Sequence, residues 1–330
     1  MLGPKVSAII ITHNRCEMLK RAVNSVINQT YKNIELIVVD DASDDGTQEY
    51  GNEINRIGYK YIRIEKEESR GGNHARNIGI ANSSGTYIAF LDDDDYWMPI
   101  KTEKQVSVLD DNPEIGLVFS GLYFEFKNKY LNYPKLPNRD AYGDIVEKEL
   151  YVGPFCTTIT MMIRKSLLDA IGGFDENVKY WQEYELSLRL IQITQVGLIY
   201  DCLSVANRDL SVKRLTNQLD SWKENVEYIN NKHRELFSKL SEEGKRKKKE
   251  IYYREAAYRA SVASNKVEMK RYYMLANNIH GRIEYVIRGK LGLSKNDTLL
   301  LESIIMKCKA LFLHNKIGEI WPNAYKNINQ

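Results

Sequence analysis

The sequence holds only four cysteines, at positions 16, 156, 202 and 308, and no two stand in a Cys-x-x-Cys pair. That scatter excludes a zinc ribbon and a disulfide framework. Its longest apolar runs, such as Val6–Ile11, fall well short of the ~20 residues that span a bilayer. Residues Met1–Lys5 lack the charged and apolar regions of a signal peptide, so the expected location is cytoplasmic. No Gly-x-Gly-x-x-Gly follows the first apolar strand, which argues against a dinucleotide-dependent oxidoreductase. The five histidines form no pair at metal-ligand spacing, and no segment recurs at a fixed period. With 20 Gly and 7 Pro, collagen-like and low-complexity classes are excluded too.

What is present suits a globular chain: 330 residues, 43% of them hydrophobic and 10% aromatic, enough for one large or two ordinary domains. A net charge of +3 hides an asymmetry. Residues 1–204 carry 22 basic and 30 acidic side chains, a net of −8, whereas residues 205–330 carry 25 and 14, a net of +11. An acidic first half that binds a phosphate ligand needs a metal ion or backbone donors, and a basic second half invites an anionic partner.

From Lys5 to about Asp111, short β-branched apolar runs alternate with amphipathic stretches. The pattern predicts strands at Val6–Thr12, Ile34–Asp41, Tyr59–Glu65 and Thr86–Leu91, with helices at Arg15–Asn28, Asp45–Ile57 and Asn73–Asn82 between them. Continuous rather than alternating apolar strands call for a mostly parallel sheet with helices on both faces, and ligands of such sheets bind beyond the strands' carboxyl ends. Further strands are expected at Gly116–Phe126, Thr158–Arg164 and Gly197–Ala206, with a helix at Trp181–Gln192. Beyond Arg208 only helical periodicity remains, over Leu219–Leu240, Lys247–Ser264, Lys266–His280 and Thr298–Phe312, which predicts an all-α C-terminal module.

The strongest chemical signal is the run Asp92-Asp93-Asp94-Asp95, entered directly from a buried strand. Adjacent carboxylates repel one another unless a cation neutralises them, and a hard divalent ion completed by phosphate oxygens and water is the natural one.

Around this run the sequence resembles glycosyltransferase family 2. The resemblance rests on Val6–Arg15, on Glu35–Thr47 with its Asp40-Asp41 pair, on Gly71-Gly72-Asn73-His74-Ala75-Arg76-Asn77-Ile78-Gly79, on the tetra-Asp run as a DxD motif, and on Gly172-Gly173-Phe174-Asp175-Glu176. It covers roughly residues 5–207 in the family's order. The resemblance implies a GT-A fold, Rossmann-like with a mostly parallel central sheet. It implies a catalytic domain over residues 1–207, with a nucleotide-sugar half to about 111 and an acceptor half after it; the charge and helical periodicity beyond it give a basic helical domain over 208–330.

The implied activity is inverting, Mn²⁺- or Mg²⁺-dependent transfer of a sugar from a UDP-sugar to a glycan, lipid-linked or protein-linked acceptor of a bacterial cell-surface polymer. Asp41 would accept the base N3–H with Asp40 supporting it. Thr12 and Arg15 would line the base pocket, and Arg76 would touch base or diphosphate. Asp93 would lie near the ribose, Asp92 would complete the motif, and Asp94 would bind the metal. Where the family carries an acid pair as general base, this chain reads Gln182-Glu183, so Glu183 takes that role, with Glu185 as the neighbouring competitor. A nucleotidyltransferase is the rival enzyme, but Thr12–Arg15 lacks the glycines of a phosphate loop. A glycan-binding or assembly subunit is the non-catalytic rival, against which Asp94 and Glu183 speak.

Trp181 reads as an acceptor floor or as core, Asn207-Arg208 as diphosphate contacts or as structure, and His13 and His74 as support rather than ligands. The run Lys245–Lys249 reads as a solvated helix start or as contact with an anionic membrane or lipid-linked acceptor, while Tyr252, Tyr253, Tyr258, Tyr272 and Tyr273, at helical spacing, read as packing or as a self-associating helical surface. Nucleic acid is not expected, since no aromatic-rich basic strand accompanies the run.

Overall fold

The computed structural model describes residues 3–127, 131–137, 156–208 and 219–281, with the single positions 146, 150, 300, 303 and 304. Strands β1 (Val6–Thr12), β2 (Ile34–Asp41), β3 (Lys60–Ile64) and β4 (Tyr87–Asp92) alternate with helices α1 (Cys16–Ile27), α2 (Thr47–Arg56) and α3 (Gly72–Ala81). The short β5 (Tyr96–Trp97), α4 (Lys101–Asp111), β6 (Ile115–Phe126) and β7 (Tyr133–Lys135) follow. A 3₁₀ turn at Thr158–Thr160 leads into β8 (Met161–Arg164), α5 (Lys165–Ile171), α6 (Gln182–Leu190) and β9 (Gln195–Arg208). The helices α7 (Leu219–Lys232), α8 (Arg234–Ser238), α9 (Glu242–Val262) and α10 (Lys266–His280) come last. Among the described residues no helix is long and apolar enough to cross a membrane.

One sheet runs in the order β3-β2-β1-β4-β8-β6-β9-β5, with β7 added on β6. The first four strands are parallel, and β8 runs antiparallel to both β4 and β6. Alternate residues of the central strands feed two cores: Ile9, Ile37, Val39, Ile88 and Phe90 pack on one face, and Ala8, Ile10, Leu36, Val38 and Leu91 on the other. Helix α1 covers the second face with Leu19, Ala22, Val23 and Val26, spaced as a single helical stripe.

Helix α3 lies close on β1 because Gly79 has no side chain. A Cβ there would stand 2.5 Å from Cγ2 of Ile9, itself fully buried. Gly79→Ala is therefore expected to destabilise the fold by about 1–3 kcal/mol, read as a lower urea midpoint at unchanged slope.

The helical region is bolted to the sheet rather than tethered. Ile229, Leu236 and Leu240 join the first core, while Trp222, Ala256, Ala257, Ala260, Tyr273 and Ala276 build a core of their own. The Asn225 amide accepts from the Lys179 N–H at 2.7 Å and donates to the Tyr180 carbonyl at 2.6 Å.

Several expectations are adjusted. The helix expected over Leu219–Leu240 is broken at His233, whose ring is turned inward to Glu185. Helix α9 starts five residues earlier than Lys247, because Ser241 caps it through the Gly244 N–H and Glu242 and Glu243 complement its first turn. The run Lys245–Lys249 thus lies within that helix. The expected helix Thr298–Phe312 lies outside the described residues, apart from positions 300, 303 and 304.

Candidate active site

Strand order reverses between β1 and β4, the place where an open α/β sheet leaves a crevice beyond its strand ends. Ile11 of β1 sits in register with Asp92 of β4, and Thr12 of β1 with Asp40 of β2, so the three polar strand ends meet at one edge. The loops there are tightly laced. The Asn14 N–H donates to Ser43 Oγ at 2.8 Å, the Asp44 N–H donates to Asn14 Oδ1 at 2.7 Å, and His13 Nδ1 lies 2.6 Å from the Asp41 carbonyl. Asn14 and Ala42 both hold positive φ, 54° and 60°, a conformation that non-glycine residues adopt at a cost and that clusters at working sites.

Asp40 and Asp41 are neighbours with opposite states. Asp40 is fully buried and saturated: it accepts from the Ser43 N–H at 3.0 Å, the Tyr61 hydroxyl at 2.5 Å and the Arg63 guanidinium at 3.1 Å. Asp41 is also buried, yet its Oδ1 has no hydrogen-bond partner among the described residues. A buried acceptor without a donor costs about 1–3 kcal/mol.

The acid run divides into two groups. Asp93 turns toward β1, accepting from Thr12 Oγ1 at 2.8 Å and Arg15 at 3.0 Å, and burial outweighs these contacts to push its carboxyl up to about 6. Asp92, Asp94 and Asp95 turn together, each offering an oxygen within 4.8 Å of the others. Asp95 is buried, and that burial, with Asp94 and Asp92 alongside, raises its carboxyl well above the usual range. Arg76 donates to Asp92 at 2.7 Å, and the Asn207 N–H donates to Asp95 at 2.9 Å. Three carboxylates converging at this separation, with repulsion left over, fit a hard divalent cation.

Helix α3 also seats the Gly-Gly-Phe-Asp-Glu turn. Asn77 receives the Phe174 N–H at 2.8 Å and donates to its carbonyl at 2.9 Å, and Asn73 donates to the carbonyls of Asp175 and Val178 at 2.9 and 2.7 Å. Arg76 lies over the Phe174 ring at 5.6 Å. Two motifs far apart in sequence are thus one structural unit that aims α6 at the acid cluster.

Helix α6 is entered through Trp181 at φ 57°. Glu183, in its first turn, keeps some exposure and lies within electrostatic reach of Arg76, Asp92 and Lys135; burial raises its carboxyl above the ordinary range. Glu185 is in a different situation. It is 1% exposed and is gripped by Arg189 at 2.7 Å, Lys232 at 2.8 Å and His233 at 3.0 Å. Burial opposes its charge, but hydrogen bonds from His233, Arg189 and Lys232 overcome that and hold its carboxyl at about 2. A carboxylate so held is a poor proton acceptor. Trp181 packs edge-on against Tyr184 and Trp222, at 5.7 and 5.2 Å between centroids, with Arg259 over its ring.

Of the residues singled out in sequence, Thr12, Arg15 and Asp93 form one group, Asp92, Asp94 and Arg76 another, and Asp40 and Asp41 a third, all on this edge. Sequence reasoning missed Asp95 as a member of the convergent triad, and Tyr61 and Arg63 as the partners of Asp40. The alternation Tyr61-x-Arg63 on a strand next to β2 was the available signal, since parallel pairing puts Arg63 opposite Asp40.

Comparison with known proteins agrees with this geometry. The profile described as Glycosyl transferase family 2 matches residues 7–172. An uncharacterized glycosyltransferase of Rickettsia prowazekii is 30% identical over 234 residues, covering 67% of this chain and 70% of that protein. The Escherichia coli UDP-Glc:alpha-D-GlcNAc-diphosphoundecaprenol beta-1,3-glucosyltransferase WfaP is 32% identical over 156 residues, covering 47% of this chain and 60% of that one. Among solved structures, S. aureus TarS in complex with UDP-GlcNAc superposes with a TM-score of 0.57 at 14% identity, over 84% of this chain and 92% of that one. The mannosyltransferase PcManGT from Pyrobaculum calidifontis, in complex with GDP-Man and Mn²⁺, gives 0.56 at 19% identity, over 94% and 87%. The architecture is the GT-A fold followed by a helical region.

Proposed function

Because this chain belongs to glycosyl transferase family 2 and is a glycosyltransferase, we propose that it moves a sugar from a UDP-sugar to an acceptor hydroxyl with inversion, Glu183 acting as general base. Residues 1–207 carry the chemistry in this reading, with the helices beyond residue 208 bracing α6 from behind.

The observation that carries it is the buried Oδ1 of Asp41, without a partner among the described residues, on the same sheet edge as the Asp92, Asp94 and Asp95 triad. Uracil presents an N3–H donor, which an acceptor-only carboxylate suits. Asp40, locked by Tyr61 and Arg63, fixes the strand end that aims Asp41. Thr12 and Arg15 hold Asp93 in place beside it. Asp92, Asp94 and Asp95 are the residues that would hold Mn²⁺ or Mg²⁺, which supplies positive charge against a diphosphate leaving group. Glu183 removes the acceptor's proton as that oxygen bonds to the anomeric carbon. The bond from that carbon to the diphosphate oxygen breaks in the same displacement, and the nucleoside diphosphate departs with the electron pair.

Calorimetric titration with UDP tests the donor half. Binding is expected with Mn²⁺ present and lost with chelator or in Asp94→Asn, while Asp41→Ala weakens it by about 1–3 kcal/mol with metal dependence intact. Equal affinity under chelation removes the metal assignment, and full affinity in Asp41→Ala reduces that residue to a turn former. A screen of nucleotide-sugars for slow hydrolysis then identifies the sugar without knowledge of the acceptor.

A further inference from the structure

Helix α1 meets the chain beyond the acid run with a polar stripe. Arg21, Ser25 and Gln29 recur every fourth residue, which stacks them on one side of α1 and of the turn that ends it. Each holds the segment that follows β4. An Arg21 nitrogen donates to the Asp94 carbonyl at 2.6 Å, and Ser25 Oγ accepts the Trp97 N–H at 3.1 Å. The Gln29 side chain donates to the Met98 carbonyl at 2.8 Å and accepts from the Thr102 N–H and hydroxyl, both at 3.0 Å. Strand β9 holds the same segment through its pairing with β5 and through the Met98 N–H, which reaches the Leu203 carbonyl at 2.9 Å.

Arg21 is the rung nearest the carboxylates. The Asp95 N–H closes a turn onto the Asp92 carbonyl at 3.1 Å, with Asp93 and Asp94 at its centre. The peptide unit joining Asp94 to Asp95 is therefore held at both ends, its N–H by Asp92 and its carbonyl by Arg21. That unit is planar and rigid, so fixing it limits the directions in which both side chains leave the main chain. Because the contact is to the main chain, it steers the two carboxylates without taking up their own oxygens. The guanidinium lies over the Tyr96 ring at 5.0 Å, which confines it to this direction. Its Nε is buried with no hydrogen-bond partner among the described residues, a cost that the carbonyl contact leaves in place.

We propose that Arg21 is a positioning residue for the divalent cation. Through the peptide between Asp94 and Asp95 it presets both carboxylates for the ion, while Ser25 and Gln29 hold the chain behind them. The inference rests on the reading that Asp92, Asp94 and Asp95 hold Mn²⁺ or Mg²⁺, and adds to it a residue that acts through the main chain.

Titration of the full chain with Mn²⁺, with UDP or GDP present and free Mn²⁺ read by electron paramagnetic resonance, tests it without recourse to turnover. Wild type should take up Mn²⁺ saturably. Arg21→Met keeps the stem and removes the donors, and should weaken Mn²⁺ binding ~10-fold or more, the usual effect of losing a group that orients metal ligands. Arg21→Lys, which can still donate to the carbonyl, should recover part of that loss. Val23→Ala, on the buried side of the same helix, is the control for a merely loosened α1: its urea midpoint should fall while its Mn²⁺ affinity holds. Unchanged affinity in Arg21→Met, or an equal loss in Val23→Ala, overturns the inference and leaves the metal reading standing. Should Arg21→Met not fold, Ser25→Ala, which removes the next rung, decides in its place by the same criterion. A wild type that takes up no Mn²⁺ with either nucleotide removes the metal reading, and the inference with it.

Discussion

Glu183→Gln is expected to lower kcat by about 10²–10⁴-fold while donor affinity holds, because the amide keeps the side chain's shape and removes its ability to take a proton. Glu183 is the carboxylate on α6 that remains partly exposed, with Asp92 and Arg76 within reach, and burial has already raised its carboxyl. A raised carboxyl is a stronger base once ionised, so the wild-type rate should fall as pH drops through that raised value, and the variant should lose this acid limb. The product's anomeric configuration, read by NMR, completes the test. A single in-line displacement inverts it, whereas retention requires a nucleophile beneath the anomeric carbon. A variant that turns over normally, or a product that keeps the donor's configuration, refutes the assignment.

Glu185→Gln should do the reverse, leaving little folded protein to assay. Removing this charge leaves Arg189 and His233 facing a neutral amide at a position 1% exposed, and takes from Lys232 one of its two carboxylates, the other being Asp175. Breaking a buried ion pair from one side costs about 3–5 kcal/mol. The depressed carboxyl points to a comparable figure: a glutamate ordinarily near 4.5 that is held at about 2 when folded contributes roughly 3 kcal/mol. Its folded value is depressed, so the contribution is fully present above the unfolded value near 4.5 and is lost as pH falls toward 2. Urea midpoints at pH 7 and pH 3 measure both. Glu183→Gln should melt close to wild type, so the two variants separate chemistry from stability two positions apart on one helix. An unchanged midpoint for Glu185→Gln would mean that the cations rearrange at no cost.

How far the sequence discloses this molecule depends on the range of each interaction. The strands β1, β2 and β4 were legible because they are buried on both faces and read as unbroken apolar runs, and the polar residues after them had to share an edge once the strands were parallel. The acid run was legible because four adjacent carboxylates are costly without a cation. What the run's linear order hid was its division: Asp93 turning back to Thr12 and Arg15 while Asp95 joins Asp92 and Asp94. That choice is made by β5, a two-residue strand too short to show periodicity, which pairs with β9 and brings Asn207 to Asp95. The break at His233 was hidden for the same reason, since the glutamate that draws the ring inward lies 48 residues earlier. Trp181 shows the ambiguity that remains when both readings are aromatic: it sits in a core of rings and also on a cavity wall.

The separations recorded in these contacts set an order of events during synthesis. Thr12 waits 81 residues for Asp93, and Asp95 waits 112 residues for the amide of Asn207. Contacts of such sequence distance form slowly, after loop closure has been met by burial elsewhere, and domains emerging from the ribosome fold as units at about 5–20 residues per second. A nascent chain can therefore pair β1 with β2 and raise the walls of the crevice well before its acid triad gains the Asn207 amide. Until Arg208 has cleared the exit tunnel, Asp95 faces its two neighbours without the backbone donor that steadies it, and any pause in translation upstream of that codon prolongs an exposed, highly acidic edge.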